Sequence, residues 1–152
     1  MNAITMLLDD HARMRKLLTE LESTTERGLK IRAELFSTIK GELTIHEVIE
    51  EEIFYPELKA HPKAKDIVLE GYQEHHVVDL VMKELEETPV DDERWGAKAK
   101  VMVENVRHHM EEEEGEMFKQ ARSVFDRSEL EDLGERMEAR RVSAKEELGV
   151  PA

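Results

Sequence analysis

The stretch Leu43–Pro56, which reads LTIHEVIEEEIFYP, decides the fold because it places His46 and Glu50 four residues apart. On an α-helix, residues with this spacing lie one above the other and point in the same direction. At about 100° per residue, both fall on one stripe with Ile39, Leu43 and Ile53. The other acids of the stretch are expected to face away from it: Glu47, Glu51 and Glu52. A carboxylate aimed into an apolar stripe is costly unless it is compensated, and a metal ion would compensate it.

The composition favours a helical protein with one domain. The 152 residues suffice for one core of ordinary size, and 38% charged with 5% aromatic residues is typical of helix-rich chains. A formal net charge of −14 argues against nucleic-acid partners and against binding to an anionic membrane surface. The absence of cysteine excludes disulfides, thiolate metal ligands and a cysteine nucleophile.

The sequence contains no evident targeting or membrane segment. The first residues, MNAITMLLDDH, lack the basic start and long apolar run of a secretory signal. No uninterrupted run approaches the roughly 20 apolar residues of a membrane span. We therefore expect a cytoplasmic protein.

Apolar periodicity predicts four long helices, over residues 2–27, 29–59, 63–87 and, from Asp91 or Asp92, to about 125. Short connections between them indicate an all-α, up-down-up-down four-helix bundle. A proline in the second helix, Pro56, is expected to kink or end that helix.

A fifth helix follows the bundle. Ser128–Glu131 has the pattern of a capping box and opens a charged helix that runs to about Leu148. We therefore divide the chain into a bundle, residues 1–126, and an additional C-terminal helix with its tail, residues 127–152.

A repeat relates the first two helices to the next two. His11 recurs 64 positions later as His75, and each follows an acidic residue. The His-x-x-x-Glu motif at His46 recurs 63 positions later at His109. The bundle would thus present six polar side chains in a pseudo-twofold arrangement: His11, His46, Glu50, His75, His109 and Glu113.

Two of these histidines belong to doublets. His75 shares the apolar face of the third helix, and His109 shares that of the fourth. Their neighbours His76 and His108 lie about 100° away and are assigned to outer positions. Because each choice depends on a single residue of register, His76 and His108 remain the alternative candidates.

The residue types indicate a metal centre with two ions. Imidazole and carboxylate suit iron, manganese or zinc, whereas the lack of sulfur disfavours Cu(I) and iron–sulfur clusters. A structural zinc site is usually closed by four ligands, so six candidates exceed its needs. We predict two metals bridged by Glu50 and Glu113, each also held by histidine, with open positions for O2, peroxide, NO or water.

Four motifs together resemble the hemerythrin-like HHE cation-binding family. They are DDH at Asp9–His11, HEVIEEEIFYP at His46–Pro56, QEHH at Gln73–His76 and HHMEEEEGEMF at His108–Phe118. The resemblance spans about residues 3–126 and implies a four-helix bundle around a non-heme, oxo- or hydroxo-bridged diiron centre. The ligands that it implies are the six residues of the repeat. Members are associated with binding O2, and some with NO, peroxide or iron sensing.

The sequence departs from the invertebrate oxygen carriers of that family at one position. Those carry a second histidine one turn after the histidine of the third helix, where this chain has Asp79 or Leu80. The departure argues against stable, reversible O2 carriage and favours redox turnover or sensing. Asp79 is a candidate oxygen ligand or an acceptor for a histidine N–H.

Three functional hypotheses follow. The first is a diiron protein that binds O2 or a related small oxidant or gas at the bundle centre. The second is a diiron catalase or peroxidase that acts on hydrogen peroxide. The third is an iron or redox sensor, or an interaction module acting through the charged helix. No catalytic residue is assigned, and the sequence does not determine the oligomeric state.

Overall fold

A computed structural model describes all 152 residues as helices and short connections, with no strand. The helices are α1 (Ala3–Glu22), α2 (Leu29–Ile49), α3 (Tyr55–Lys59), α4 (Lys65–Glu86), α5 (Trp95–Glu112), α6 (Phe118–Val124) and α7 (Arg127–Leu148). Two π-helical segments, π1 (Glu50–Phe54) and π2 (Glu113–Met117), join α2 to α3 and α5 to α6, and a 3-10 turn (Pro62–Ala64) precedes α4. The prediction of a helical bundle with an additional C-terminal helix is confirmed. No helix has the length and apolar content needed to cross a membrane.

Two apolar cores fill the bundle, and a polar layer separates them. Along α1, Leu7 belongs to one core and Met14 to the other, and the buried His11 lies between them. The same order recurs on α4, where His75 lies between Val68 and Val78. Each fully buried aliphatic side chain contributes roughly 1.5–3 kcal/mol, so the cores supply the stability against which polar groups are buried.

The second long helix is interrupted by a π segment, Glu50–Phe54, that lies before Pro56. Pro56 does not end the second long helix, because it lies in the first turn of α3, where its missing N–H is tolerated. The matching segment π2 is followed by no proline, so proline is not the common cause. Each π segment begins at the glutamate of a His-x-x-x-Glu motif, Glu50 or Glu113. Single π turns inside α-helices are frequently found at functional sites.

Two helix starts differ from the sequence prediction. Asp126, not Ser128, caps α7: its carboxylate accepts from the Glu129 N–H at 2.8 Å, and the Glu129 carboxylate accepts from the Asp126 N–H at 3.0 Å. Asp126 has the extended backbone that a cap requires, with φ −81° and ψ 175°. The fourth long helix begins at Trp95, because the Asp92 carboxylate closes a preceding turn by accepting from a backbone N–H two residues on, at 2.8 Å.

Helix α7 packs across α1 and α2. Its inward side presents Leu133, Met137 and Ala144, all buried. Gly134 lies so close to the N-terminus that a Cβ atom there would overlap the Met1 carbonyl and crowd the backbone of the next residues. The missing side chain therefore permits the N-terminal segment to cross α7.

We predict that Gly134→Ala destabilises the protein by about 1–3 kcal/mol, because backbone atoms must move to admit the methyl group. Urea unfolding followed by circular dichroism measures the change. Gly115→Ala is the matched control, since a Cβ atom there has no neighbour within 4 Å. Equal stabilities of the two variants would contradict the packing of α7 against the N-terminus.

Candidate metal centre

The six side chains of the sequence repeat converge in the polar layer. Glu113 lies at its centre: its Oε1 atom is 3.1 Å from Nε2 of His11, 3.8 Å from that of His46 and 3.5 Å from that of His109. Oε1 of Glu50 lies 3.2 Å from Nε2 of His46. The same Glu50 atom is 3.0 Å from Nε2 of the remaining histidine of the repeat, on α4. All four imidazoles therefore turn their Nε2 atoms towards two buried carboxylates.

The ligand atoms form two groups, each compact enough for one ion. One group is Glu50, His75, His109 and Glu113, and the other is His11, His46 and Glu113. Both glutamates were predicted to bridge two metals; in the structure, only Glu113 belongs to both groups.

Three buried atoms in this cluster have no hydrogen-bond partner: Nε2 of His46, Nε2 of His109 and Oε2 of Glu50. A buried polar atom without a partner is costly. All three belong to imidazole or carboxylate groups, which are ligands for Fe, Mn or Zn. The donor set and its unpaired atoms therefore fit a metal cation.

Each histidine doublet has one inward and one outward member. His75 and His109 are buried, whereas His76 and His108 are exposed. The structure thus agrees with the inward choice made from the apolar faces of the third and fourth helices.

The outer nitrogen of every inward imidazole contacts a carboxylate. The Nδ1–O distances are 2.6 Å for His11–Glu114, 2.9 Å for His46–Asp10, 2.9 Å for His75–Glu51 and 2.7 Å for His109–Glu74. The four long helical rods of the bundle are α1, α2 with π1 and α3, α4, and α5 with π2 and α6. Each contact joins a different pair of neighbouring rods, so the four contacts form a closed ring. Carboxylates on the outer nitrogen of a metal-binding histidine fix its tautomer and orientation.

Sequence reasoning missed all four of these carboxylates. Glu51 was expected to face away and Glu114 was assigned no role, yet each contacts an imidazole while its side chain stays 39% or 28% exposed, respectively. Both lie in π segments, which depart from the α-helical rotation of about 100° per residue. A signal did exist for Asp10 and Glu74, since an acid precedes His at the same offset in both halves.

Glu47 is a second correction, because it is buried rather than turned to solvent. Burial raises the pKa of Glu47 to about 9, and the neighbouring carboxyl of Asp79 adds to the effect. Glu47 therefore keeps its proton at neutral pH. Asp79 itself is exposed and accepts no hydrogen bond from a histidine, because Glu51 holds the Nδ1 atom of His75.

Tyr55 breaks the pseudo-twofold symmetry. Its hydroxyl donates to Oε2 of Glu113 at 2.6 Å and lies 3.2 Å from Nε2 of His75. Phe118 occupies the matching place 63 positions later and has no hydroxyl. Gly71 leaves room for the phenol, since a Cβ atom there would lie 2.9 Å from the hydroxyl oxygen. Burial, and then the charge of Glu113, raise the pKa of Tyr55 well above its ordinary value, so the phenol stays protonated.

Two of the imidazoles, His46 and His75, have raised pKa values in the absence of metal. Burial alone would lower the pKa of His75, but hydrogen bonds to Glu50 and Glu51 raise it to about 10. Burial opposes charge on His46 as well, yet the carboxylates of Glu50 and Asp10 raise its pKa well above the ordinary value. Both side chains are therefore protonated at neutral pH, and a metal that binds them must displace protons.

A cavity of about 20 Å³ lies beside the imidazoles of His11, His46 and His109. The apolar part of its wall is formed by Met14, Leu17, Leu43, Val78, Val106 and Met110. A space of this size admits one water-sized molecule. It therefore suits a diatomic gas better than an organic substrate.

We predict that the chelator-treated protein loses stability as pH rises from about 6.5 to about 10. The pKa of His75 is raised from 6.5 to about 10 on folding, so its stabilising contribution is complete below the lower value and absent above the upper one. Urea unfolding at pH values of about 6, 8 and 10 tests this. His75→Gln should show a shallower decline, and an equally steep decline in that variant would contradict the assignment.

Comparison with known proteins agrees with the motifs. Residues 2–121 match the family model described as the hemerythrin HHE cation binding domain. A crystal structure of an HHE cation-binding domain-containing protein from Mycobacterium kansasii, a homologue of Rv2633c, is similar over 97% of this chain and 92% of that chain, with 29% identity and a TM-score of 0.83. No curated protein matches. Because the family model covers most of the sequence, this chain belongs to the hemerythrin HHE cation-binding domain family.

Proposed function

We propose that the chain holds two iron ions through the six side chains of its repeat and binds O2, or a related small oxidant or gas such as peroxide or NO, beside them. The observation that carries the proposal is the geometry around Glu113, which belongs to both ligand groups. The unpaired buried atoms of His46, Glu50 and His109 support a bound cation. The cavity beside three of the imidazoles supports a small ligand.

The donor set and the family resemblance favour iron. Four imidazoles and two carboxylates suit Fe better than a closed zinc site, which four ligands complete. Iron held here would supply affinity for O2, NO and peroxide and the ability to exchange electrons with them. The protein would orient the imidazoles through the ring of outer carboxylates and limit the ligand by the size of the cavity.

One observation favours peroxide breakdown as a second candidate function. The disproportionation of two hydrogen peroxide molecules into O2 and two waters requires protons to pass between those molecules. The Tyr55 hydroxyl donates its proton to Glu113, with 2.6 Å between the two oxygen atoms. This hydroxyl is present on one half of the centre only. A positioned phenol can assist such transfers as a general acid–base group.

The sensor and interaction hypothesis receives less support. It assigns a partner-binding role to the charged C-terminal helix, but the apolar side of α7 is already packed against α1 and α2. Its solvent-facing side is mostly charged, with Val142 and Leu148 also exposed, and exposed charges or single apolar residues are ordinary on a helix.

We predict about two irons per chain in the parent protein after anaerobic loading and desalting, with unequal losses in two variants. Glu50→Ala should retain about one iron, because the group of His11, His46 and Glu113 stays complete. Glu113→Ala should retain less than one, because both groups lose a ligand. Elemental analysis measures the content.

The control for these variants is Glu116→Ala, which removes an exposed carboxylate of the same π segment and should keep about two irons. Less than one iron per chain in the parent would overturn the diiron proposal. Equal iron contents in Glu50→Ala and Glu113→Ala would contradict the sharing of Glu113.

For the second candidate function, we predict that Tyr55→Phe retains its iron but removes peroxide about 100-fold more slowly per iron, because it lacks the positioned proton. Oxygen evolution from hydrogen peroxide measures the rate. Tyr72→Phe is the control, since that hydroxyl donates only to a backbone carbonyl, at 3.3 Å. Parent turnover no faster than that of free iron, or an unchanged rate in Tyr55→Phe, would remove this candidate.

A further inference from the structure

One arginine of the C-terminal helix reaches the metal centre from outside the region that matches the family. Arg141 lies on the inward side of α7, in helical register with Met137 and Ala144, and its side chain is only 11% exposed. The family match ends at residue 121, before α7 begins. An arginine placed among buried apolar residues requires a specific anionic partner.

That partner is Asp10. Nη1 of Arg141 donates to Oδ1 of Asp10 at 2.9 Å, and Nη2 donates to Oδ2 at 3.1 Å. A paired contact of this kind is among the strongest and most directional hydrogen-bond arrangements. Arg13 donates to Oδ1 as well, at 2.9 Å.

Asp10 in turn contacts an imidazole of the centre. Its Oδ2 atom lies 2.9 Å from Nδ1 of His46, whose Nε2 faces Glu50 and Glu113. A continuous path of hydrogen bonds therefore runs from Arg141 on α7, through Asp10 on α1, to His46 on α2. The Asp10 carboxylate is shared between a guanidinium and an imidazole.

The other half of the centre lacks this connection. Glu74 takes the place of Asp10 and accepts from Nδ1 of His109 at 2.7 Å, but its only other basic neighbour is the His108 imidazole, at 3.8 Å. A carboxylate that is also paired with arginine carries less effective negative charge. It therefore stabilises positive charge on its imidazole less than an unpaired carboxylate does. His46 and His109 therefore have unequal electronic surroundings despite their symmetrical sequence motifs.

We propose that Arg141 is a positioning residue of the metal centre, which fixes Asp10 and His46 and makes the two iron sites unequal. This inference rests on the proposed binding of two irons. In metal sites generally, loss of a group that hydrogen-bonds to a ligand changes metal affinity by roughly 10- to 100-fold. Arg141 acts on only one carboxylate of the outer ring. The docking of α7 and the occupancy of the His46 half are therefore coupled.

The test compares Arg141→Met, which keeps the aliphatic stem, with Arg141→Lys, which keeps the charge but loses the paired contact. Arg140→Met is the matched control, because Arg140 pairs with Glu52 and Glu147 at the surface. Each variant is loaded with ⁵⁷Fe, and its iron content, thermal unfolding and Mössbauer spectrum are measured. Iron release to a chelator is then followed in time.

In Arg141→Met we expect one of two quadrupole doublets to shift and one iron per chain to leave about 10-fold faster, while the second doublet and the second iron match the parent. Arg141→Lys should lie between them, and Arg140→Met should match the parent. Shifts of both doublets, or parent-like spectra and release in Arg141→Met, would overturn the inference while leaving the diiron proposal intact. If the parent binds no iron, the diiron proposal itself fails.

Discussion

The burial of two carboxylates at the centre of an apolar bundle is the constraint on which the rest of the structure depends. Glu50 and Glu113 are at most 1% exposed, and moving a carboxylate into a medium of low dielectric costs on the order of 20 kcal/mol in the ideal case, with several kcal/mol remaining after relaxation. Positive charge must therefore accompany them. Protonated His46 and His75 provide it in the metal-free chain, and the proposed metal ions would replace those protons.

The polar layer also connects the helices to one another. Each inward imidazole is held at its outer nitrogen by an acid from a neighbouring rod, so that four contacts run round the bundle and close on themselves. Three departures break the symmetry of this ring. The first is the phenol of Tyr55, whose counterpart is Phe118. The second is Arg141, which acts on Asp10 but has no equivalent at Glu74. The third is Arg15, which pairs with Glu114 at 2.8 Å and has no equivalent at Glu51. The two halves therefore share imidazole and carboxylate groups but differ in the hydroxyl and guanidinium groups beside them.

The sequence was sufficient for the bundle and for the inward direction of six polar side chains, because helical rotation and the repeat depend only on spacing. The inward and outward members of each histidine doublet followed from the same rule. Helical rotation did not predict the positions of Glu51 and Glu114, because π turns alter that rotation. It also did not predict the burial of Glu47, which depends on the neighbouring helix. Arg141 was not identified, since its role requires α7 to dock beside Asp10, a tertiary contact that helical periodicity does not contain.

We propose that Glu113 lies between two iron ions, each held by its own histidines. A crystal structure of the iron-loaded protein, with diffraction recorded above and below the iron absorption edge, tests it most directly. We expect two anomalous peaks per chain, one beside Glu50, His75 and His109 and one beside His11 and His46, with the Glu113 carboxylate in contact with both. A single peak, or two peaks without Glu113 between them, would contradict it.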